Sequence, residues 1–323
     1  MRDQPTRRHV LTATGAATIA ALAGCSSSDA EPAPETDDTN DSSEQTADSE
    51  TPTNELLVGS KRFIENVLLA EMSVSVLEDR TDLESIGTDD IGERTTVESF
   101  LYTKYGGLDH YWEYTGTLER SHYANDSLDS LEAIRERAAR DGIAVLEPGG
   151  FDNTYELVTT DEFAANNGLE RVSDLAGLLE ETDVKLSLGD EFAYRDDGWV
   201  GFMEAYGVAD DRATEIREAA RVVEAGDTYT LLEDGDAEVV MGFSTDPELA
   251  DDHLLTLEDD EAFFPEYLPV AVVAESALER TPEIESSLND VASRLESVDT
   301  MRDLIGRVHD GETAATVARD FLE

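Results

Sequence analysis

The chain has one cysteine, Cys25, preceded by Leu22, Ala23 and Gly24, and Arg7-Arg8 stand just ahead of the apolar run that leads to it. A thiol in that setting has a specific chemistry: after cleavage the cysteine becomes the new N-terminus and carries lipid. The run from Val10 to Ala23 has the length of a signal h-region and is too short to span a bilayer. Residues 1–25 therefore read as a twin-arginine lipoprotein signal peptide ending in a lipobox. The mature protein is expected to be exported and lipid-anchored through Cys25 to the outer face of the cytoplasmic membrane. With no second cysteine there is no disulfide, so a packed core must supply the stability.

Other reactive side chains form no constellation. His9, His110, His122, His253 and His309 are scattered without metal-ligand spacing, and no metal is expected. Neither a Gly-rich phosphate loop nor a serine-nucleophile elbow is present, so the sequence points to no cofactor and to no enzyme. Paired carboxylates such as Asp251-Asp252 and Asp259-Asp260 carry no catalytic signal, because acids are dense everywhere: 75 acidic residues face 23 basic ones, for a net charge of −52. Lysine is nearly absent, with Lys61, Lys104 and Lys185 alone, and the acids run through every segment. That is the surface of a protein suited to molar salt, as in a haloarchaeon, where carboxylates keep it hydrated. No basic patch exists to neutralise phosphates, which excludes nucleic acid as a partner.

The elements that must position any site begin after a polar tract. Residues 26–54 are rich in Ser, Thr, Asp and Glu and lack a basic residue, so they cannot bury enough surface to order themselves. They read as a disordered tether reaching about 30 Å on average. Residues 55–323 are enough for two lobes and a large core. Short apolar runs alternate with amphipathic stretches, which is the pattern of an α/β protein. Strands are expected at 55–60, 142–146, 156–160, 185–188, 237–243 and 270–273. Helices are expected from Phe63 to Asp79, from a cap at Ser127 to Arg140, from Pro282 to Glu296, and from Gly311 or Glu312 to the end.

Six motifs follow one another along this region. They are Val58-Gly59-Ser60-Lys61-Arg62-Phe63-Ile64-Glu65, Trp112-Glu113-Tyr114-Thr115-Gly116-Thr117, Asp152-Asn153-Thr154-Tyr155, Glu191 to Gly198 with Phe192 and Arg195, Phe243-Ser244-Thr245-Asp246-Pro247, and Leu257 to Asp260 with Phe263-Phe264-Pro265-Glu266-Tyr267. In this order they resemble the substrate-binding proteins of osmoprotectant ABC transporters, the glycine betaine/carnitine/choline family. The resemblance implies a two-lobed type II periplasmic-binding-protein fold with a hinge and an interlobe cleft. Lobe 1 would be 55–152 plus 268–323, and lobe 2 would be 153–267. The implied partners are a small quaternary ammonium ligand and an ABC permease with its ATPase subunit.

A quaternary ammonium has no N–H to donate, so what attracts it is the negative face of several aromatic rings, each worth roughly 0.5–2 kcal/mol. By motif position the resemblance assigns Tyr114, Tyr155, Phe243 and Tyr267 to such a cage. Phe243 stands where tyrosine is common in the family. The carboxylate of a betaine needs charge-assisted donors, and the same resemblance gives that role to Arg195, Lys61 and the Thr117 hydroxyl. Tyr229 is a second-rank candidate that packs locally. Asn66 replaces a common glutamine and is expected beside the cage. Arg94 and the aromatic segment 103–112 also depart from the family pattern. Two alternatives stand beside this reading: the same fold binding another small solute, and a ligand-sensing lipoprotein serving a signalling receptor.

Overall fold

The computed structural model describes residues 54–126, 128–195, 198–224 and 226–323. Residues 1–53, which hold the signal, Cys25 and nearly all of the expected tether, lie outside them, as do Ser127, Asp196 and Asp197. No helix among the described residues is long and apolar enough to cross a membrane.

Two five-stranded sheets organise the chain. The first contains β1 (Glu55–Lys61), β2 (Ser85–Arg94), β3 (His110–Tyr114), β4 (Ile143–Pro148) and β10 (Pro269–Ala274), in the order β2-β1-β3-β10-β4. The second contains β5 (Tyr155–Thr160), β6 (Leu186–Gly189), β7 (Arg221–Val223), β8 (Val239–Phe243) and β9 (Leu254–Thr256), in the order β7-β6-β8-β5-β9. β1 runs parallel to β2 and β3, whereas β10 returns from the far end of the chain and inserts antiparallel between β3 and β4. In the second sheet β6 is parallel to β7 and β8, and β5 is antiparallel to β8 and β9. The chain passes between the sheets twice, at 149–154 and 257–268.

The apolar patterning explains these placements. β10 reads Pro-Val-Ala-Val-Val-Ala and is buried at all six positions, as suits a strand with neighbours on both edges. The helix Ile64–Arg80 buries Leu68, Leu69, Met72, Val76 and Leu77 against the first sheet, at the spacing of one helical face. Each such side chain removed from water contributes about 1.5–3 kcal/mol. In the second half, Leu175, Leu179, Leu188, Phe202 and Val239 belong to a separate core.

Three expectations need correction. The helix expected from Ser127 spans Leu131–Ala139, and its cap is Ser130, whose hydroxyl accepts from the Ala133 N–H at 3.2 Å. β2 was not expected, because its sequence Ser-Ile-Gly-Thr-Asp-Asp-Ile-Gly-Glu-Arg lacks an apolar run; it lies at a sheet edge and is only partly buried. Between the two C-terminal helices, Glu283–Arg294 and Ala314–Leu322, lies another, Val298–His309, capped by Ser297.

Candidate ligand-binding site

The residues at issue sit where strands end. Lys61 closes β1, Tyr114 closes β3, Phe243 closes β8, Tyr155 opens β5, and Tyr267 stands two residues before β10. Parallel strands carry their loops and ligands at such ends. All seven expected ligand residues, Lys61, Tyr114, Thr117, Tyr155, Arg195, Phe243 and Tyr267, line one cavity of about 120 Å³. One water needs roughly 10–15 Å³, so the space suits a solute of about ten heavy atoms.

Ring contacts run along its wall. Tyr155 and Phe243 face each other in the β5–β8 ladder, with centroids 5.2 Å apart. Tyr267 meets Tyr155 edge-on at 5.7 Å. Phe63, which the sequence placed in a motif without giving it a role, lies 6.0 Å from Phe243 and 6.2 Å from Tyr114, tilted only 20° and 27° from them. It joins two rings from different sheets. Phe192, which also lines the cavity, and Phe264 lie 4.8 and 5.4 Å from the Tyr155 ring. Gly116 allows this closeness, since a Cβ there would stand 2.8 Å from the Tyr267 ring.

The cationic groups are engaged differently from one another. Lys61 is buried, and its Nζ pairs with the Glu113 carboxylate while lying 4.4 Å from the Tyr114 ring centroid. Glu113 also accepts from the Tyr114 N–H at 2.9 Å and meets His122 Nε2 at 2.9 Å. Burial opposes its ionisation, but Lys61 and His122 outweigh that and hold it at about 2. The Lys61 charge is thus compensated inside the protein. Arg195 donates from Nη1 to the Tyr155 hydroxyl at 3.4 Å, which places its guanidinium at the aromatic wall. Arg94 also lines the cavity, paired with Asp90 and stacked 3.8 Å from the Tyr102 ring.

A carboxylate on the second-sheet side holds the two sheets together here. Glu191, just past β6, accepts from Thr96 N at 3.0 Å and from Thr96 Oγ1 at 2.6 Å. These bonds fall on the first residue of the helix Thr96–Lys104, whose N-terminal dipole favours an anion.

Asn66 stands beside the Tyr114 side chain and does not line the cavity. It is fully buried, accepts from the Lys61 N–H at 2.8 Å and donates to the Trp112 carbonyl at 3.0 Å, so it ties β1 to β3. Tyr229 packs in a small cluster with Val158, Leu232 and Val240. Phe63 and Asn153 were quoted as parts of motifs but given no role. Both line the cavity and meet the other half of the fold, Phe63 at the Phe243 ring and Asn153 by donating from Nδ2 to Glu65 Oε1 at 2.9 Å.

A sequence model for the substrate-binding domain of ABC-type glycine betaine transport systems matches residues 54–323. The chain belongs to that family. It is 32% identical over 279 residues to the glycine-betaine-binding protein of Pseudomonas aeruginosa, covering 83% of this chain and 86% of that one. It is 27% identical over 269 residues to the chemotactic signal transduction system substrate-binding protein CosB of Halobacterium salinarum, covering 78% of each. Among solved structures, that of a glycine betaine/carnitine/choline ABC transporter protein matches with a TM-score of 0.63 at 23% identity, over 83% of this chain and 97% of the other. The fold of this family member is accordingly the type II periplasmic-binding fold.

Proposed function

We propose that this binding protein captures a quaternary ammonium osmoprotectant, glycine betaine, choline or carnitine, outside the cytoplasmic membrane and delivers it to an ABC permease with its ATPase. The observation that carries this reading is the wall of five rings, Tyr114, Phe63, Phe243, Tyr155 and Tyr267, around a cavity of solute size. Aromatic faces attract an onium group that offers no hydrogen-bond donor. Arg195 at the same wall supplies the donor fork that a carboxylate would need. In this reading residues 55–152 with 268–323, and residues 153–267, act as two lobes that close over the ligand. Residues 26–54 tether them to a lipid on Cys25. Calorimetric titration of the protein in molar salt with betaine, choline, carnitine and proline tests the ligand class. Heat from proline alone would sink it. Membrane fractionation of Cys25→Ser tests the anchor, with release into the soluble fraction expected.

The likeness to CosB supports a second reading, in which the liganded protein reports to a chemotaxis receptor instead of feeding an importer. Uptake of labelled betaine that persists after deletion of the gene, together with lost chemotaxis toward betaine, would favour it.

A further inference from the structure

Behind the rings lies a second, smaller cavity of about 60 Å³. Phe63, Asn153 and Phe243 line both spaces, so two rings and an amide form a shared wall. Two buried acceptors on the small cavity lack any hydrogen-bond partner: Glu65 Oε2, on a residue 2% exposed, and Asn153 Oδ1, on a residue 5% exposed. Their other atoms are committed. Glu65 Oε1 accepts from the Tyr114 hydroxyl at 2.5 Å and from Asn153 Nδ2 at 2.9 Å. That second bond fixes the amide orientation, because a flipped Asn153 would set its carbonyl against the carboxylate. Burial pushes the Glu65 carboxyl up, and the Thr245 hydroxyl close to it partly offsets that.

The remaining polar lining adds to the imbalance. Asp246 and Glu248 come from the second-sheet side, while Glu65 comes from the first. One titratable base, His309, lines the cavity, and its Nδ1 lies 3.5 Å from Glu248. Three carboxyls from two sides of the molecule therefore meet around one space, with two acceptors pointing at no donor. A buried acceptor left so costs about 1–3 kcal/mol, and more where it is charged. Among the described residues no group of three or more His, Cys, Asp and Glu is arranged to hold a metal ion. A mixed set of one carboxylate and one amide oxygen suits a singly charged ion.

We propose that this cavity binds a monovalent alkali cation between Glu65 Oε2 and Asn153 Oδ1, and that the ion favours ligand binding by relieving repulsion between carboxyls of the two sheet halves. The site adjoins the ligand cavity, since Asn153 lines both spaces together with Phe63 and Phe243. An acid-rich protein working in concentrated salt meets such ions at concentrations that fill even a weak site.

Crystals of the whole protein grown with rubidium chloride as the only alkali salt test the site without regard to the ligand's identity. An anomalous peak in contact with Glu65 Oε2 and Asn153 Oδ1 is expected, and it should be lost in Glu65→Gln and in Asn153→Ala. Water density without anomalous signal in the wild type would overturn the site. Coupling is tested by titrating betaine at constant molar ionic strength with the alkali cation replaced by N-methylglucamine, too large to enter. Affinity should fall several-fold in the wild type and be indifferent to the exchange in Glu65→Gln; if Glu65→Gln does not fold, Asn153→Ala serves. A wild-type affinity unchanged by the exchange, or one that follows pH and not the cation, would overturn the coupling.

Discussion

Two cationic residues that look alike in the sequence separate in the structure. Lys61 and Arg195 both line the ligand cavity, but Lys61 is neutralised by Glu113 in the interior, whereas the Arg195 guanidinium lies at the Tyr155 hydroxyl. Changing Arg195 to Ala should therefore weaken betaine by about 1.5–3 kcal/mol, the value of a hydrogen bond to a charged group, and leave choline nearly unaffected. Dissociation constants for both ligands at fixed molar salt check this; equal losses would mean that Arg195 supports closure and does not read a carboxylate. His110 offers a second test. It is fully buried, donates from Nδ1 to the Val272 carbonyl at 3.0 Å and meets Ser73 Oγ through Nε2 at 2.9 Å. Burial holds its pKa at about 4, below the ordinary 6.5. An unfolded chain takes up that proton near pH 6.5 and the folded one only near 4, so between these values the unfolded state binds more protons. Stability should fall as pH drops through that window and level off below it, by about 3 kcal/mol in all at about 1.4 kcal/mol per unit. Denaturation curves for the wild type minus those for His110→Gln isolate this component from the titration of the many acids.

At the scale of elements, the strands legible in the sequence are those with apolar runs, β1, β4, β5, β6, β8 and β10. β2 was hidden because an edge strand can be polar, and the helix Val298–His309 was passed over although Met301, Leu304, Ile305 and Val308 repeat at helical spacing. The site was legible only through the order of its motifs. No local pattern reveals that Tyr155 falls opposite Phe243, since that register is set by a pairing between strands some eighty residues apart. Phe63 stayed without a role for the same reason: its neighbours Tyr114 and Phe243 belong to different sheets. Gly116 tests how tightly the elements fit. In Gly116→Ala the new Cβ meets Tyr267 at 2.8 Å and Pro265 at 2.9 Å, so the ring must move. We expect betaine and choline to weaken alike, by about 1 kcal/mol as for one cation–π contact, with overpacking costing about 1–3 kcal/mol of stability. Calorimetry and chemical denaturation of this one variant measure both.

For the whole molecule, the net charge of −52 predicts a fold whose stability depends on salt. Self-repulsion is screened when the Debye length is about 3 Å, near 1 M salt, and much less so in dilute buffer. Circular dichroism over a salt series should show the fold lost as salt is removed, and equal stability at both ends would refute the expectation. The placement of β10 has a consequence of a different kind. The first sheet holds residues from both ends of the folded chain, and its β3 and β4 are joined only through a strand that begins at residue 269. The second sheet is a continuous stretch, 155–256, nested inside it. Where the two crossing segments pass, backbone bonds lace them together: Gly149 N to Pro269 O at 2.8 Å and Asn153 N to Tyr267 O at 3.1 Å. A chain emerging from the ribosome can thus complete its middle before its beginning, which must wait, half-built, for the segment from Pro269 onward. Loop closure over so long a separation is slow. Pulse-labelled hydrogen exchange during refolding should find the amides of β5 and β8 protected early, and those of β3 and β10 protected together and last.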